Sequence, residues 1–269
     1  MNRLDHARDA LLGLAVGDAI GTTVEFKLRG SFAPLTDMVG GGPFGLLPGQ
    51  WTDDTSMALC LGYSLIETGF DLNDQMARYL RWRDTGYMSS NGRCFDIGHA
   101  TNDAIGRYRQ TGNPLVGSTD PKSAGNGSIM RLAPVPIYFM DNLDEAVAKS
   151  EEQSKTTQQA PECLQACRLL AQALVNALQG APKNEVLKFT TTQPLSKGLS
   201  HIAQGDYTTK TIDHILMSSK AWKLPCGVFG RQIIFGIVSC KPPIWGMMQI
   251  PPQPWRGNWL RCFMGWGYS

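Results

Sequence analysis

All 23 acidic residues of this 269-residue chain lie before position 216, and none follows. The stretch 216–269 instead holds five of the seven Trp, six of the 16 Pro and six of the 25 Lys and Arg. Without acids it offers neither carboxylate ligands nor Glu–Lys helix pairs, and it shows no helical periodicity, capping signal or regular strand pattern. A folded unit is therefore expected over residues 1–215, with an irregular tail at 216–269 that forms no domain.

Within 1–215 the pattern is helical throughout. Leu4, Ala7, Leu11, Leu14 and Ala15 recur at helical spacing and run into Val16-Gly17-Asp18-Ala19-Ile20-Gly21, which reads as a buried helix containing an acid. Residues 29–50 carry Gly30, Pro34, Gly40-Gly41-Gly42-Pro43, Gly45 and Pro48-Gly49, a loop long enough to be functional. Helices are predicted from Thr52 or Asp53 to Gly69, over 71–82, and over 96–108. A further one opens at Gly125-Asn126-Gly127-Ser128 and is limited by Pro134 and Pro136. Amphipathic stretches at 143–155 and 161–179 complete an all-α fold, a compact multi-helix domain.

A hydrophobic content of 42% at this length supplies a full core for one domain. The net charge of +2 has no block of like charge behind it, so neither nucleic acid nor membrane is an expected partner. The seven cysteines are odd in number and lack paired zinc spacing; Cys163 and Cys167 share a helix face. The first residues have no apolar signal core, and no run of about 18 apolar residues occurs, so a cytoplasmic monomer with reduced thiols is expected. His6, His99, His201 and His214 show no ligand spacing and read as surface or packing residues.

Chemistry concentrates in a few segments. Trp51-Thr52-Asp53-Asp54-Thr55-Ser56 places two adjacent carboxylates and three hydroxyls at a helix start. Capping and the helix dipole account for one acid there; a second, framed by hydroxyls after a glycine-rich loop, makes an all-oxygen set of the kind that binds Mg²⁺ or Mn²⁺. Asp18 suits a structural role, tying its helix to a neighbouring backbone, whereas Glu25 faces the loop and is freer to act. Asp96 stands at a predicted helix start, where capping is the simplest role. Gly125, Asn126, Gly127 and Ser128, leading to Met130 and Arg131, combine small residues with a polar helix opening, which suits a phosphate or ribose as well as an ordinary cap.

Four segments together carry more: Gly17-Asp18-Ala19-Ile20-Gly21 through Glu25-Phe26, Trp51 to Thr55, Cys94-Phe95-Asp96-Ile97-Gly98, and Gly125 to Arg131. In order and spacing they resemble the ADP-ribosylglycohydrolase family, over residues 5–213. The resemblance implies an all-helical fold with two Mg²⁺ or Mn²⁺ ions. It also implies hydrolysis of the glycosidic bond between ADP-ribose and a protein side chain or small molecule. It assigns Thr52, Asp53 and Asp54 to metal, and Asp96 and Glu25 to catalysis. The loop residues Gly125, Asn126, Gly127, Ser128, Met130 and Arg131 go to the ADP-ribose pocket.

Two departures from that family stand out. Gln158 occupies a position where the family commonly has His, and an amide carries no proton at neutral pH. The family also has a Gly-Asp-Asp-Ala-Asp-Thr motif near its C-terminus, and no acid after Asp213 can supply it. At most a partial metal site is expected here. Read from the third base of each codon, however, Trp222-Lys223 forces Glu, and Ile244 to Pro252 permits Leu-Gly-Asp-Asp-Ala-Asp-Thr-Thr, with Gly, one Asp and Ala forced by single-codon Trp and Met. A frameshift near Ile215 or Leu216 is therefore expected, with weak or no hydrolysis and exposed apolar faces as consequences. The alternatives are a non-catalytic ADP-ribose binder, a degenerate gene product, or a Trp- and Pro-rich tail that serves as an interaction segment.

Overall fold

The computed structural model describes residues 3–203, apart from 28–30, 34, 192–193, 197–198 and 201–202. The 216–269 stretch, and with it the reading of that stretch as an out-of-frame tail, lies outside the described residues, as do His201 and His214. The regular elements are helical: α1 Arg3–Gly21, α2 Asp53–Thr68, α3 Leu72–Thr85, α4 His99–Thr111, α5 Pro134–Tyr138, α6 Leu143–Ser154, α7 Pro161–Leu178 and α8 Lys183–Val186. Among the described residues, extended pairing is confined to isolated bridges, Gly41 with Leu46 and Ser118 with Gln158. The fold is all-α, as expected. No helix among these residues is long and apolar enough to cross a membrane.

Two helices organise the rest. In α7 the buried set Cys163, Ala166, Cys167, Leu169, Ala171, Ala173, Leu174, Val175, Ala177 and Leu178 is too wide for a one-sided stripe. Accordingly α7 packs against α6, α5, α8 and α1. In α2 every residue from Asp53 to Leu61 is buried, and it meets α1, α3 and α5. Met57 and Cys60 of α2, Met76, Tyr79 and Trp82 of α3, Ile105 of α4 and Met130 form one core cluster, while Ile129 and Leu132 join α7 in another.

Three local expectations need correction. Helix α4 begins at His99 with Gly98 in the cap position, so Asp96 is not a cap; its φ of 59° puts it in the left-handed region, which an Asp tolerates and a helix does not. The helix expected to open at Gly125 and be limited by Pro134 and Pro136 is instead a run of turns, and Pro134 starts α5. A proline in the first helical turn lacks only an N–H that would have no partner there. On α1 the buried face is Ala7, Ala10, Gly13, Ala15, Asp18 and Ala19, while Leu4 is exposed and Leu11 and Leu14 are half-buried. Small residues let α1 approach α2 and α7 closely.

That approach is fastened by Asp18. Its carboxylate accepts from Thr52 N at 3.1 Å, Thr52 Oγ1 at 2.8 Å, Thr55 N at 3.1 Å and Thr55 Oγ1 at 2.6 Å. These are the free donors at the start of α2, which Thr52, in the cap position, does not satisfy with its own side chain. The carboxylate therefore caps α2 from another helix, the structural role its sequence context suggested. Replacing Asp18 by Asn leaves one acceptor oxygen where four donors converge and sets an NH₂ against the others. We predict a loss of about 2–4 kcal/mol for Asp18→Asn, seen as a lowered urea midpoint; a change below about 0.5 kcal/mol would contradict this role.

Candidate active site

With Asp18 doing the capping, Asp53 and Asp54 reach the first turn of α2 without that duty. Both are almost wholly buried, and their carboxyls are held well above the ordinary carboxylate range, first by burial. Asp53 is raised next by Asp54, and both by Asp96, Asp18 and Glu25. Glu25 follows the 3-10 turn Thr22–Val24 at the end of α1; burial and the neighbouring Asp96 push it to about 8. Burial and Asp18 raise Asp96 to about 7, against hydrogen bonds from Glu25 and Asp53 that pull it down. Five carboxyls from three segments thus feel one another, and among the described residues no lysine or arginine is one of the main groups that shift them. The glycine-rich loop packs against the segment that carries Glu25: Gly42 sits where any Cβ would strike the Thr22 carbonyl, and a turn held by Gly41 and Leu46 places Phe44 near Phe26 and Phe95.

The segment from Gly125 to Arg131 divides into two parts. Gly125 and Asn126 are partly exposed, whereas Gly127, Ser128, Met130 and Arg131 are buried. Ser128 Oγ accepts from Ser154 Oγ at 2.7 Å and lies against Cys167 Sγ, and Cys163 Sγ donates to the Gly125 carbonyl. Met130 belongs to the core cluster with Met57 and Tyr79. Arg131 is fully buried over the Tyr79 ring and donates to Gln153 Oε1, the Gly127 and Gln153 carbonyls and Thr156 Oγ1. Burial pulls its pKa down from the usual guanidinium value. A Cβ on Gly127 would lie 2.6 Å from Thr101 Oγ1 and 2.7 Å from Gln158 Nε2, so the loop is seated directly on those two groups.

The family model described as ADP-ribosylglycohydrolase matches residues 1–234. The chain belongs to the ADP-ribosylglycohydrolase family. It is similar to the ADP-ribosylarginine hydrolase Tri1 of Serratia proteamaculans, with 44% identity over 216 residues, 80% of this chain and 58% of that protein. The ADP-ribosyl dinitrogen reductase glycohydrolase of Rhodospirillum rubrum is 35% identical over 184 residues, 65% of this chain and 59% of the other. A solved ADP-ribosylglycohydrolase-related protein complex superposes with a TM-score of 0.69 at 35% identity, covering 97% of this chain and 93% of that one. The chain matches less than two thirds of the length of these curated relatives.

Within this member of the family, Thr52, Asp53, Asp54, Glu25 and Asp96 come together, while the 125–131 loop is braced from beneath by α6 and α7. Gln158, the amide at the family's His position, is buried and donates to Thr101 Oγ1 at 3.1 Å. Thr101, Thr156 and Gln153 were not singled out from sequence; their partners lie 22 to 57 residues away, and no linear spacing marks them. Crowded, buried carboxyls with no basic partner among the described residues fit a hard divalent cation in donor chemistry. Among the described residues, no group of three or more His, Cys, Asp or Glu side chains is placed to hold a metal ion.

The raised carboxyls set the pH dependence of stability. An acid that ionises at 4.5 when unfolded but at about 8 when folded keeps its proton in the native state across that window, so stability falls as pH rises through it and levels off above. Asp96 adds to the same slope up to about 7. In EDTA the melting temperature is expected to fall by about 5 °C or more between pH 5 and 8.5, less so in Glu25→Gln, and millimolar Mg²⁺ or Mn²⁺ should restore it at the alkaline end. A pH-independent melting temperature in EDTA would contradict this.

Proposed function

We propose that this chain derives from an enzyme that hydrolyses the N-glycosidic bond between ADP-ribose and arginine, and that it is impaired as it stands. The single observation that supports this most is the gathering of Thr52, Asp53, Asp54, Glu25 and Asp96 around one buried carboxylate system. The name of the Serratia relative favours arginine as the linked residue. Asp53, Asp54 and the Thr52 hydroxyl, whose proton is committed to Asp18, are the groups that would hold Mg²⁺ or Mn²⁺. Such an ion, when bound, orients ribose hydroxyls and favours ionisation of a water.

The protein's own acids then supply proton transfer. Glu25 and Asp96 act on each other's ionisation, with Glu25 pushed up to about 8 and Asp96 to about 7, so near neutral pH one can hold a proton while the other accepts one. The protonated carboxyl donates to the leaving guanidine nitrogen as the C–N bond breaks. The ionised one takes a proton from the water that forms the new C–O bond. Gly125 and Asn126, the exposed part of their loop, face the ligand, and the buried Ser128, Met130 and Arg131 hold that loop in place.

Impairment rests on the missing second acidic motif. The stretch from 216 carries no acid, and its back-translation from the third base of each codon permits Gly-Asp-Asp-Ala-Asp-Thr, with Gly, one Asp and Ala forced. Sequencing across codons 205–225 tests the frameshift: an intact frame with no shifted alternative would overturn it. Released ADP-ribose from ADP-ribosylarginine in Mg²⁺ tests the activity. We expect turnover of this chain at least about 100-fold below that of the frame-restored chain, and loss of the restored activity in Glu25→Gln. Equal turnover would refute impairment, and no turnover after restoration would refute the hydrolase reading. The second reading, a non-catalytic binder, is favoured by the intact brace beneath the 125–131 loop; calorimetric ADP-ribose binding without turnover would support it.

A further inference from the structure

Three phenylalanines from separate segments meet at the acidic site. Phe26 follows Glu25, Phe95 precedes Asp96, and Phe44 stands in the turn between Gly41 and Leu46. The Phe44 ring lies 6.3 Å from that of Phe26 at 70°, and 5.3 Å from that of Phe95 at 59°. Phe26 and Phe95 adjoin Glu25 and Asp96 in the chain, and Phe44 links their two rings, so the aromatic group borders the segments that carry the carboxyl pair. Its placement is not an accident of packing. Phe26 is 54% exposed, so little burial is gained there, and it adopts a φ of 61°, while Asp96 adopts 59°. A bulky residue held at positive φ with its ring in solvent is costly twice over, through backbone strain and apolar exposure.

We infer that Phe26, Phe44 and Phe95 form an aromatic rim that receives the arginine guanidinium of an ADP-ribosylarginine substrate and so selects the guanidine-linked ligand. The inference rests on the arginine reading proposed above. A guanidinium that has exchanged one N–H for a glycosidic bond remains a planar, delocalised cation, the group best suited to stack on aromatic faces. Whichever of Glu25 and Asp96 is ionised adds a field of the right sign for a cation. Ribose hydroxyls directed to the acid cluster would leave the glycosidic nitrogen beside Glu25 and Asp96, with the arginine stem passing over the rings. A neutral leaving group, such as a serine hydroxyl, gains nothing from this surface beyond contact.

The test compares ligands with and without the guanidine on the full chain. Calorimetric titrations with ADP-ribose and with ADP-ribosyl-agmatine are expected to favour the latter by about fivefold or more. Phe44→Leu and Phe26→Leu keep apolar bulk but remove the aromatic face; they should bring the ratio close to one while leaving ADP-ribose affinity unchanged, and Phe44→Trp should restore the preference. A ratio near one in the unsubstituted chain, or an unaltered ratio in both Leu variants, overturns the rim. If neither nucleotide binds, the ADP-ribose reading itself fails, and titration with agmatine alone decides the rim. Saturable binding abolished by Phe44→Leu upholds it, and no such binding overturns it.

Discussion

The contact between Asp18 and the start of α2 governs the rest of the structure. A helix N-terminus needs acceptors, and the nearest acids in sequence, Asp53 and Asp54, would ordinarily supply them. Because a carboxylate from α1 accepts from Thr52 and Thr55 instead, two buried acids are spared that task in the first turn of α2. The arrangement is unfavourable by itself. Burial and mutual repulsion raise Asp53, Asp54, Glu25 and Asp96 together, and among the described residues no cationic side chain is one of the main groups that act on them. Structure is strained locally here in a way that a bound cation would relieve.

The opposite electrostatic problem is solved beneath the 125–131 loop. Arg131 is a buried cation whose donors all go to neutral oxygens of Gln153, Gly127 and Thr156, with the Tyr79 ring under its guanidinium. It joins the loop to α6 and to the turn that follows. Gln158 and Thr101 press on the same loop at Gly127, where only a hydrogen fits. The loop is thereby rigid from below and exposed only at Gly125 and Asn126. A histidine at 158 would change its charge and its donor count with pH, whereas the amide makes the same bond to Thr101 at any pH.

Much of this was legible in the sequence because it depends on local pattern. The helices α2, α3, α6 and α7 follow their apolar periodicity, α2 stopping at Gly69 as expected while α3 runs past the expected end at 82 to Thr85, and the structural role of Asp18 followed from a carboxylate within a buried helix. What escaped has a different physical origin. Asp96 looks like a helix cap until its left-handed φ is known, and the prolines at 134 and 136 look like terminators until the first turn forms around them. Arg131 resembles a ligand-binding residue in sequence because its partners Gln153 and Thr156 lie more than 20 residues away. The aromatic rim joins residues 26, 44 and 95, which share no spacing at all.

The central claim is that Asp53 and Asp54, released from capping by Asp18, form a cation-demanding pair. Titration of the full chain with Mn²⁺, followed by loss of the free-ion electron paramagnetic resonance signal, addresses it directly. Saturable binding that is abolished in Asp54→Asn, with helical content unchanged by circular dichroism, is the predicted result. Absence of Mn²⁺ binding to the unsubstituted chain, or binding that survives Asp54→Asn intact, would contradict it.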